Sequence, residues 1–273
     1  MKKIRIAVAG ACGRMGKRIL TLAAADPELE ITGALEHKDT PGLGTDVGTF
    51  IGQAKRGVKV TADLKEALSP AQVLIDFTHP DAAAEHIQGA LQFKVGLVLG
   101  TTGLSEKTLA SLKVASQQIA ILQSPNMSTG VNFLFELISK AAQMLDERYD
   151  IEISEIHHRM KKDAPSGTAL ELARLIAEAK GWDPKKAFFF GRQGETGERK
   201  KGTLGIHALR GGDVVGEHTI SFFGNGEIIE IVHRATSRDA FAGGALQAAK
   251  FIAAQKKGLY NMRHILCAAS GNG

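Results

Sequence analysis

Ile4-Arg5-Ile6-Ala7-Val8-Ala9-Gly10-Ala11-Cys12-Gly13-Arg14-Met15-Gly16 decides the fold. Ile4–Ala9 reads as a short buried strand, Gly10–Gly13 as a turn, and Arg14–Ala25 as a helix ended near Asp26-Pro27. In a strand–turn–helix unit these glycines have separate physical roles. Gly10 permits a tight turn, Gly13 lets the backbone approach a pyrophosphate, and Gly16 lets the helix sit close to the sheet. The free N–H groups and dipole at the helix start then hold the anion. The spacing is GxxGxxG and not the commoner GxGxxG, so the turn by itself also suits a βα connection with no ligand. A second strand over Leu29–Leu35 ends at Glu36, about 20 residues past Gly16, where a carboxylate accepts hydrogen bonds from a ribose diol. Cys12 reads as a small residue in a crowded turn, not as a nucleophile.

Outward from this unit the alternation continues. Short strands are expected at Val58–Thr61, Val73–Phe77, Val95–Leu99 and Ala120–Gln123, the last of the series. Helices are expected after Val58–Thr61 to Leu68, over Pro80–Phe93, and from an N-cap at Ser105 to about Gln118. Residues 37–57 read as an irregular loop. Strands alternating with helices of ten to fifteen residues imply βαβ units and a parallel sheet. In such a sheet, ligands lie beyond the carboxyl ends of the strands, where Thr78 and Gly100-Thr101-Thr102-Gly103 suit a nicotinamide and its ribose. After Asn126 the pattern changes. A helix over Ser128–Leu145, a strand over Ile151–His157 and a helix over Ser166–Ala179 precede strands at Ala187–Phe190, Leu204–Arg210, Val214–Phe223 and Glu227–Thr236. The last two flank Gly224-Asn225-Gly226, a hairpin signal. The fold class is α/β: an N-terminal Rossmann-type parallel-sheet domain plus a C-terminal α+β domain with a mixed or antiparallel sheet. The Ala-rich helix Asp239–Gln255 has no obvious partner in the second sheet and is expected to pack on the first domain.

Composition narrows the function. With 273 residues, 44% hydrophobic and 23% charged, the chain is a globular protein of one large or two modest domains. A net charge of +5 suits an anionic ligand, but long basic runs are missing and aromatics are only 5%, too few for a base-stacking platform. Cys12 and Cys267 lie far apart and suggest neither a metal site nor a disulfide framework, which fits a reducing cytosol. The apolar start is interrupted by Arg5 and is too short for a signal peptide, and no run approaches a membrane span.

The chemistry is expected in Glu155-Ile156-His157-His158-Arg159-Met160-Lys161-Lys162-Asp163-Ala164-Pro165-Ser166-Gly167-Thr168. This stretch leaves a strand, crosses a basic loop and enters a helix. Such a density of cations would repel unless an anion joined them. Ser166-Gly167-Thr168 adds hydroxyls and free N–H groups at a helix start, a second anion cradle. A solvated basic loop with a good N-cap is the competing interpretation. No spacing of histidine and carboxylate here suggests a metal.

Together these residues resemble the dihydrodipicolinate reductases of bacterial lysine and diaminopimelate synthesis. The similarity runs through VAGACGRMG, IDFT, GTTG, EIHHRMKKDAPSGTA, GETGER and VVGEHT, over essentially the whole chain. EIHHRMKKDAPSGTA is highly specific; the glycine turn is not. The resemblance implies a Rossmann domain of residues 1–127 and 239–273, completed by the C-terminal helix. It also implies a substrate-binding and oligomerisation domain of residues 128–238, and usually a homotetramer. It implies NADH or NADPH as hydride donor without metal, and a small dicarboxylate substrate, with no nucleic-acid or membrane partner. Carried over by position, cofactor contacts fall on Gly10, Ala11, Cys12, Gly13, Arg14, Met15, Glu36, Gly100, Thr101, Thr102, Ser124, Pro125, Asn126 and Met127. The general acid falls on His157 with Lys161 as its partner, and substrate carboxylates fall to His158, Lys161, Gly167 and Thr168. Two departures stand out: Cys12 where some relatives have glycine, and His37 after Glu36 where some have arginine. Glu36 without an arginine fork favours NADH, with dual use expected because His37 and Lys38 follow.

The nearest alternative is another two-domain NAD(P)-dependent reductase of a small carboxylic substrate. The lack of a cysteine near the basic loop argues against a thioester-forming semialdehyde dehydrogenase. A nicotinamide-sensing DNA-binding regulator would need a helix-turn-helix and a basic recognition face, and the sequence offers neither.

Overall fold

The computed structural model describes residues 2–269. The elements run β1 (Ile4–Ala9), α1 (Arg14–Ala25), β2 (Leu29–Leu35), α2 (Val47–Phe50), β3 (Val60–Thr61), α3 (Leu64–Leu68), β4 (Val73–Asp76), α4 (Pro80–Phe93), β5 (Gly96–Leu99), α5 (Glu106–Ala115) and β6 (Ala120–Gln123). They continue with α6 (Thr129–Met144), β7 (Asp150–His157), α7 (Gly167–Lys180), α8 (Pro184–Ala187), β8 (Phe188–Phe189), β9 (Leu204–Arg210), β10 (Gly216–Gly224) and β11 (Glu227–Ala235). The chain closes with α9 (Asp239–Ala253), β12 (Gly258–Tyr260) and α10 (Met262–Ala269). Two compact units emerge among the described residues, one of residues 2–129 and 238–269, the other of residues 130–237.

The first unit is a seven-stranded parallel sheet in the order β12-β6-β5-β4-β1-β2-β3. Its central strands are buried on both faces, as parallel strands must be when helices cover each side. Ile6, Val8, Ile75 and Val98 pack with Ile19 and Leu20 of α1 and with Ala242, Ala245, Ala249 and Ile252 of α9. Ala7, Leu74, Leu97 and Ile121 pack on the opposite side with Leu68, Ala83, Ile87 and Leu112. The small residues of α9 allow close approach: a Cβ on Gly244 would lie 1.7 Å from the Met127 carbonyl oxygen. Arg18 of α1 grips Asp239 at the start of α9 with two hydrogen bonds of 2.6 and 2.7 Å.

Two expectations change here. Ala120–Gln123 is not the last strand of this sheet, because β12 pairs outside β6 in parallel register. Three residues beside Lys256 and Lys257 carry too little alternation to announce an edge strand. The loop at 37–57 contains the four-residue helix α2, capped by Asp46, which accepts N–H groups from Gly48 and Thr49.

The second unit is a five-stranded mixed sheet, β11-β10-β7-β9-β8. β10 is antiparallel to both neighbours, whereas β7–β9 and β9–β8 are parallel. Asn225 and Gly226, the latter at φ 84°, make the two-residue turn between β10 and β11. Ile151, Ile153, Ile220 and Phe222 form one apolar face under Leu134 and Ile138 of α6 and Leu172 and Ile176 of α7. Because side chains alternate along a strand, Glu155 and His157 continue this covered face beyond Ile153. Among the described residues no helix is long and apolar enough to cross a membrane.

Candidate active site

In the first unit the sequence-derived cofactor segments all follow carboxyl ends of neighbouring strands. Ser124–Met127 follows β6, Gly100–Thr102 follows β5, Thr78 lies just past β4, Gly10–Met15 follows β1, and Glu36 follows β2. This is the edge where an open α/β sheet binds its ligand. Gly10 adopts φ 70°, a left-handed conformation that glycine takes without strain. A Cβ on Gly16 would sit 2.0 Å from the Gly10 carbonyl oxygen, so the close helix–turn contact requires glycine there. No side chain caps α1, and the first N–H groups of a helix lack intrahelical partners, which leaves them for an anion.

Glu36 is fixed at the turn. Its Oε2 accepts the Cys12 N–H at 2.8 Å and its Oε1 accepts the His37 N–H at 2.9 Å. Each oxygen keeps a lone pair for a ribose hydroxyl. Burial, then the charge of Glu36, pushes the Cys12 thiol up, which suits a packed residue and not a nucleophile. Among the other candidates, Ala11, Thr101, Ser124 and Met127 are buried, so the unit uses their side chains itself. Thr101 donates to Asp76 Oδ1 and accepts the Thr78 N–H, both at 3.1 Å. Asp76 is fully buried and meets His86 Nδ1 at 2.7 Å. Burial would raise its carboxyl, but His86 and then Thr78 hold it below the usual range. A buried carboxylate thus ties the loops after β4 and β5 together. Gly13, Arg14, Thr102 and Pro125 are exposed, and Gly100, Met15 and Asn126 half-buried.

In the second unit His157 is the last residue of β7, and the basic loop leads to α7. The loop is anchored: the Arg159 N–H donates to Gly212 O, and the Gly211 N–H donates to His157 O. The sequence left open which anion balances its cations. Part of the answer is internal. Glu155, fully buried, contacts His157 Nδ1 at 2.5 Å and receives both Arg210 terminal nitrogens at 2.8 and 2.9 Å. Burial would raise the Glu155 carboxyl, but Arg210, His157 and the Ser166 N–H keep it low and ionised. An ionised carboxylate only accepts, so the proton between the two lies on His157 Nδ1. Burial lowers the His157 imidazole below its ordinary value, with Glu155 opposing. Lys161 pairs with Asp163 at 2.9 Å.

At the cradle, Ser166 caps α7 by accepting the Ala169 N–H at 3.2 Å, and it meets His218 Nε2 at 3.0 Å. Burial drives His218 down to about 3, so it is neutral. Gly167 is exposed, and a Cβ there would meet nothing within 4 Å. His158 Nδ1 is buried with no hydrogen-bond partner among the described residues, an atom suited to a ligand acceptor. Among the described residues no cluster of His, Cys, Asp and Glu is placed to hold a metal ion.

The sequence assigned no role to Glu155, Arg210, His218 or Gly216. The signal for Glu155 was its i, i+2 relation to His157 on one strand. The VVGEHT motif held two of the others. Gly216 makes room for the His157 ring, since a Cβ there would lie 3.0 Å from its Nε2, and His218 stacks edge-on with that ring at 5.3 Å.

A Rossmann-type unit with a glycine turn at the carboxyl edge of its sheet, and a mixed-sheet unit bearing an imidazole, an ammonium and an uncrowded helix N-terminus, define an NAD(P)H-dependent oxidoreductase. Comparisons with known proteins give the family. Residues 4–127 match the N-terminal domain of dihydrodipicolinate reductase and residues 130–266 its C-terminal domain. A 4-hydroxy-tetrahydrodipicolinate reductase of Polynucleobacter necessarius is 46% identical over 96% of this chain and 98% of its own length. One of Anaeromyxobacter dehalogenans is 46% identical over 96% of this chain and 97% of its own. Among solved structures, a dipicolinate-bound dihydrodipicolinate reductase from Paenisporosarcina superposes with a TM-score of 0.77 at 27% identity, covering 96% of this chain and 99% of that one. The chain belongs to the dihydrodipicolinate reductase family.

Proposed function

We propose that the protein reduces 4-hydroxy-tetrahydrodipicolinate, after loss of water, to tetrahydrodipicolinate in lysine and diaminopimelate biosynthesis. The observation that carries this reading is the end of β7, where a half-buried imidazole, a lysine and an uncrowded helix N-terminus follow one another along the chain. The glycine turn, Glu36, Gly100-Thr101-Thr102 and Ser124-Pro125-Asn126-Met127 hold the dinucleotide, whose nicotinamide supplies the hydride.

The second unit's residues do the rest. Gly167 and Thr168 at the start of α7, with His158 and Lys161, bind the substrate carboxylates. Reduction of the conjugated imine builds negative charge on the ring. Lys161 stabilises that charge as a cation, and Asp163 keeps its ammonium in the loop until substrate arrives. His157 supplies the proton from Nε2, because Nδ1 is committed to Glu155. It is neutral before substrate binds, since burial depresses it. A dicarboxylate brought beside it raises its proton affinity and charges it when the acid is needed.

NADH is the preferred donor and NADPH a slower one, because the Glu36 carboxylate faces the ribose position and no arginine follows it. Residues 1–127 and 239–273 serve the dinucleotide, and residues 128–238 serve substrate and oligomerisation. A homotetramer fits the uncovered sheet face of the second unit, where Leu209, Phe223, Ile228 and Val232 are 48%, 39%, 60% and 41% exposed. A cytoplasmic setting suits a chain whose Cys12 and Cys267 form no disulfide with each other. Calorimetry with pyridine-2,6-dicarboxylate, a planar mimic of the substrate, tests the reading. Binding that disappears in Lys161→Ala supports it; indifference of the wild-type protein to the mimic, with NADH bound, contradicts it.

A further inference from the structure

Glu155 touches no reacting group except through His157, yet it is the fully buried carboxylate at the root of the basic loop. Four donors converge on its two oxygens. Oε2 takes His157 Nδ1 at 2.5 Å and Arg210 Nη1 at 2.8 Å. Oε1 takes the Ser166 N–H at 2.9 Å and Arg210 Nη2 at 2.9 Å. Arg210 also donates to the Asp163 carbonyl at 2.7 Å, on the loop that carries Lys161.

We propose that Glu155, clamped by Arg210, is the positioning residue that makes the general acid and the carboxylate cradle one rigid device. Its Oε2 fixes the His157 ring, and its Oε1 fixes the first turn of α7 through Ser166. This rests on the assignment of His157 as the acid.

A lone buried carboxylate is strongly disfavoured by desolvation, and only excellent hydrogen-bonding geometry offsets that. Here the geometry spans β7, β9, the basic loop and α7. A structural ion pair would need Arg210 alone. What distinguishes this carboxylate is that its other two donors are the acid's ring nitrogen and the main chain of the cradle's N-cap. His218 reinforces the link from β10, touching Ser166 through Nε2 and the His157 ring edge-on. The charged and titratable groups around His157 are thus Glu155 on β7, Arg210 on β9, His218 on β10 and Lys161 on the loop, with His233 of β11 opposite His218. Glu155 is the anion among them that contacts the ring, and it opposes the lowering by burial and the cations.

The test compares Glu155→Gln with His157→Gln and with the double variant, in the full-length enzyme, with NADH affinity and Tm as controls for folding. Gln keeps the shape but presents an NH₂ where a donor must be received. Three results are expected. Glu155→Gln lowers kcat about 10²-fold and also raises substrate KM, whereas His157→Gln lowers kcat with KM nearly unchanged. The alkaline limb of the kcat profile moves to lower pH in Glu155→Gln, because the imidazole loses the anion that favours its charged form. In the His157→Gln background, adding Glu155→Gln costs no further kcat but still raises KM. Arg210→Lys, which keeps the charge and loses the fork, gives a smaller version of the same pattern should Glu155→Gln fold poorly. Additive kcat losses with an unmoved limb and a lowered Tm would make Glu155 a structural ion pair and overturn the proposal. Wild-type turnover in His157→Gln would instead remove the acid assignment, and the coupling with it.

Discussion

Gly167 separates a ligand cradle from an ordinary helix cap. It opens α7 in an exposed position, has no left-handed φ, and leaves open space around a built Cβ. Gly167→Ala therefore adds a methyl group without strain and removes unfolded-state freedom, worth about 0.4–1 kcal/mol of stability. In a chain of this size that raises Tm by roughly 1–3 °C. The same methyl stands where a substrate carboxylate must approach the main-chain N–H. Losing or stretching one charge-assisted hydrogen bond costs about 1.5–3 kcal/mol. Substrate KM should then rise by roughly 10- to 100-fold, more for Gly167→Val than for Ala, with kcat and NADH affinity near wild type. Steady-state kinetics at saturating NADH, paired with thermal melts, reads both effects. A KM within about twofold of wild type in the Val variant, beyond the non-additive scatter of single substitutions, refutes the cradle and leaves Ser166 as a plain N-cap.

Three further outcomes follow from the geometry. Gly16→Ala forces a Cβ to 2.0 Å from the Gly10 carbonyl oxygen, so NADH affinity measured by fluorescence should collapse, while Gly13→Ala, at 3.1 Å, is milder. Glu36→Ala should weaken NADH use and improve NADPH use, and in the wild type NADH should lead by about tenfold in kcat/KM, or ~1.4 kcal/mol; a tenfold NADPH preference would contradict that role of Glu36. Glu152 provides an acid-stability signature: burial alone would raise its carboxyl, but Arg192, His207 and Arg199 hold it down at about 2. A depressed folded-state carboxyl contributes stability that is full above about pH 4.5 and lost as pH falls toward 2, on the order of 3 kcal/mol. Urea midpoints across that window should show the slope in the wild type and flatten in Glu152→Gln.

Much of this was legible in the chain. The glycine turn and alternating apolar runs announced the parallel sheet because buried parallel strands leave continuous hydrophobic stretches. Asn225-Gly226 announced the hairpin because only such residues take its backbone angles readily. The HHRMKK stretch announced an anion site through its unbalanced charge. What stayed hidden was long-range partnership. Arg210 and His218 reach Glu155 and Ser166 only through strand register, which local sequence does not state. β12 stayed hidden because an edge strand of three residues, paired on one side, needs no pattern of its own. Thr101 looked like a ribose contact, yet its hydroxyl is spent on buried Asp76, a carboxylate whose role appears only when β4 and β5 lie side by side.

The most direct test is a coupled assay. Freshly generated 4-hydroxy-tetrahydrodipicolinate is added to the purified protein, and loss of the dihydronicotinamide absorbance is followed for the wild type, His157→Gln and Lys161→Ala. The account predicts rapid substrate-dependent oxidation of NADH by the wild type, and a fall in kcat of about 10²-fold or more in each variant with NADH affinity retained. A wild type that leaves NADH untouched, or variants that turn over at its rate, would contradict it.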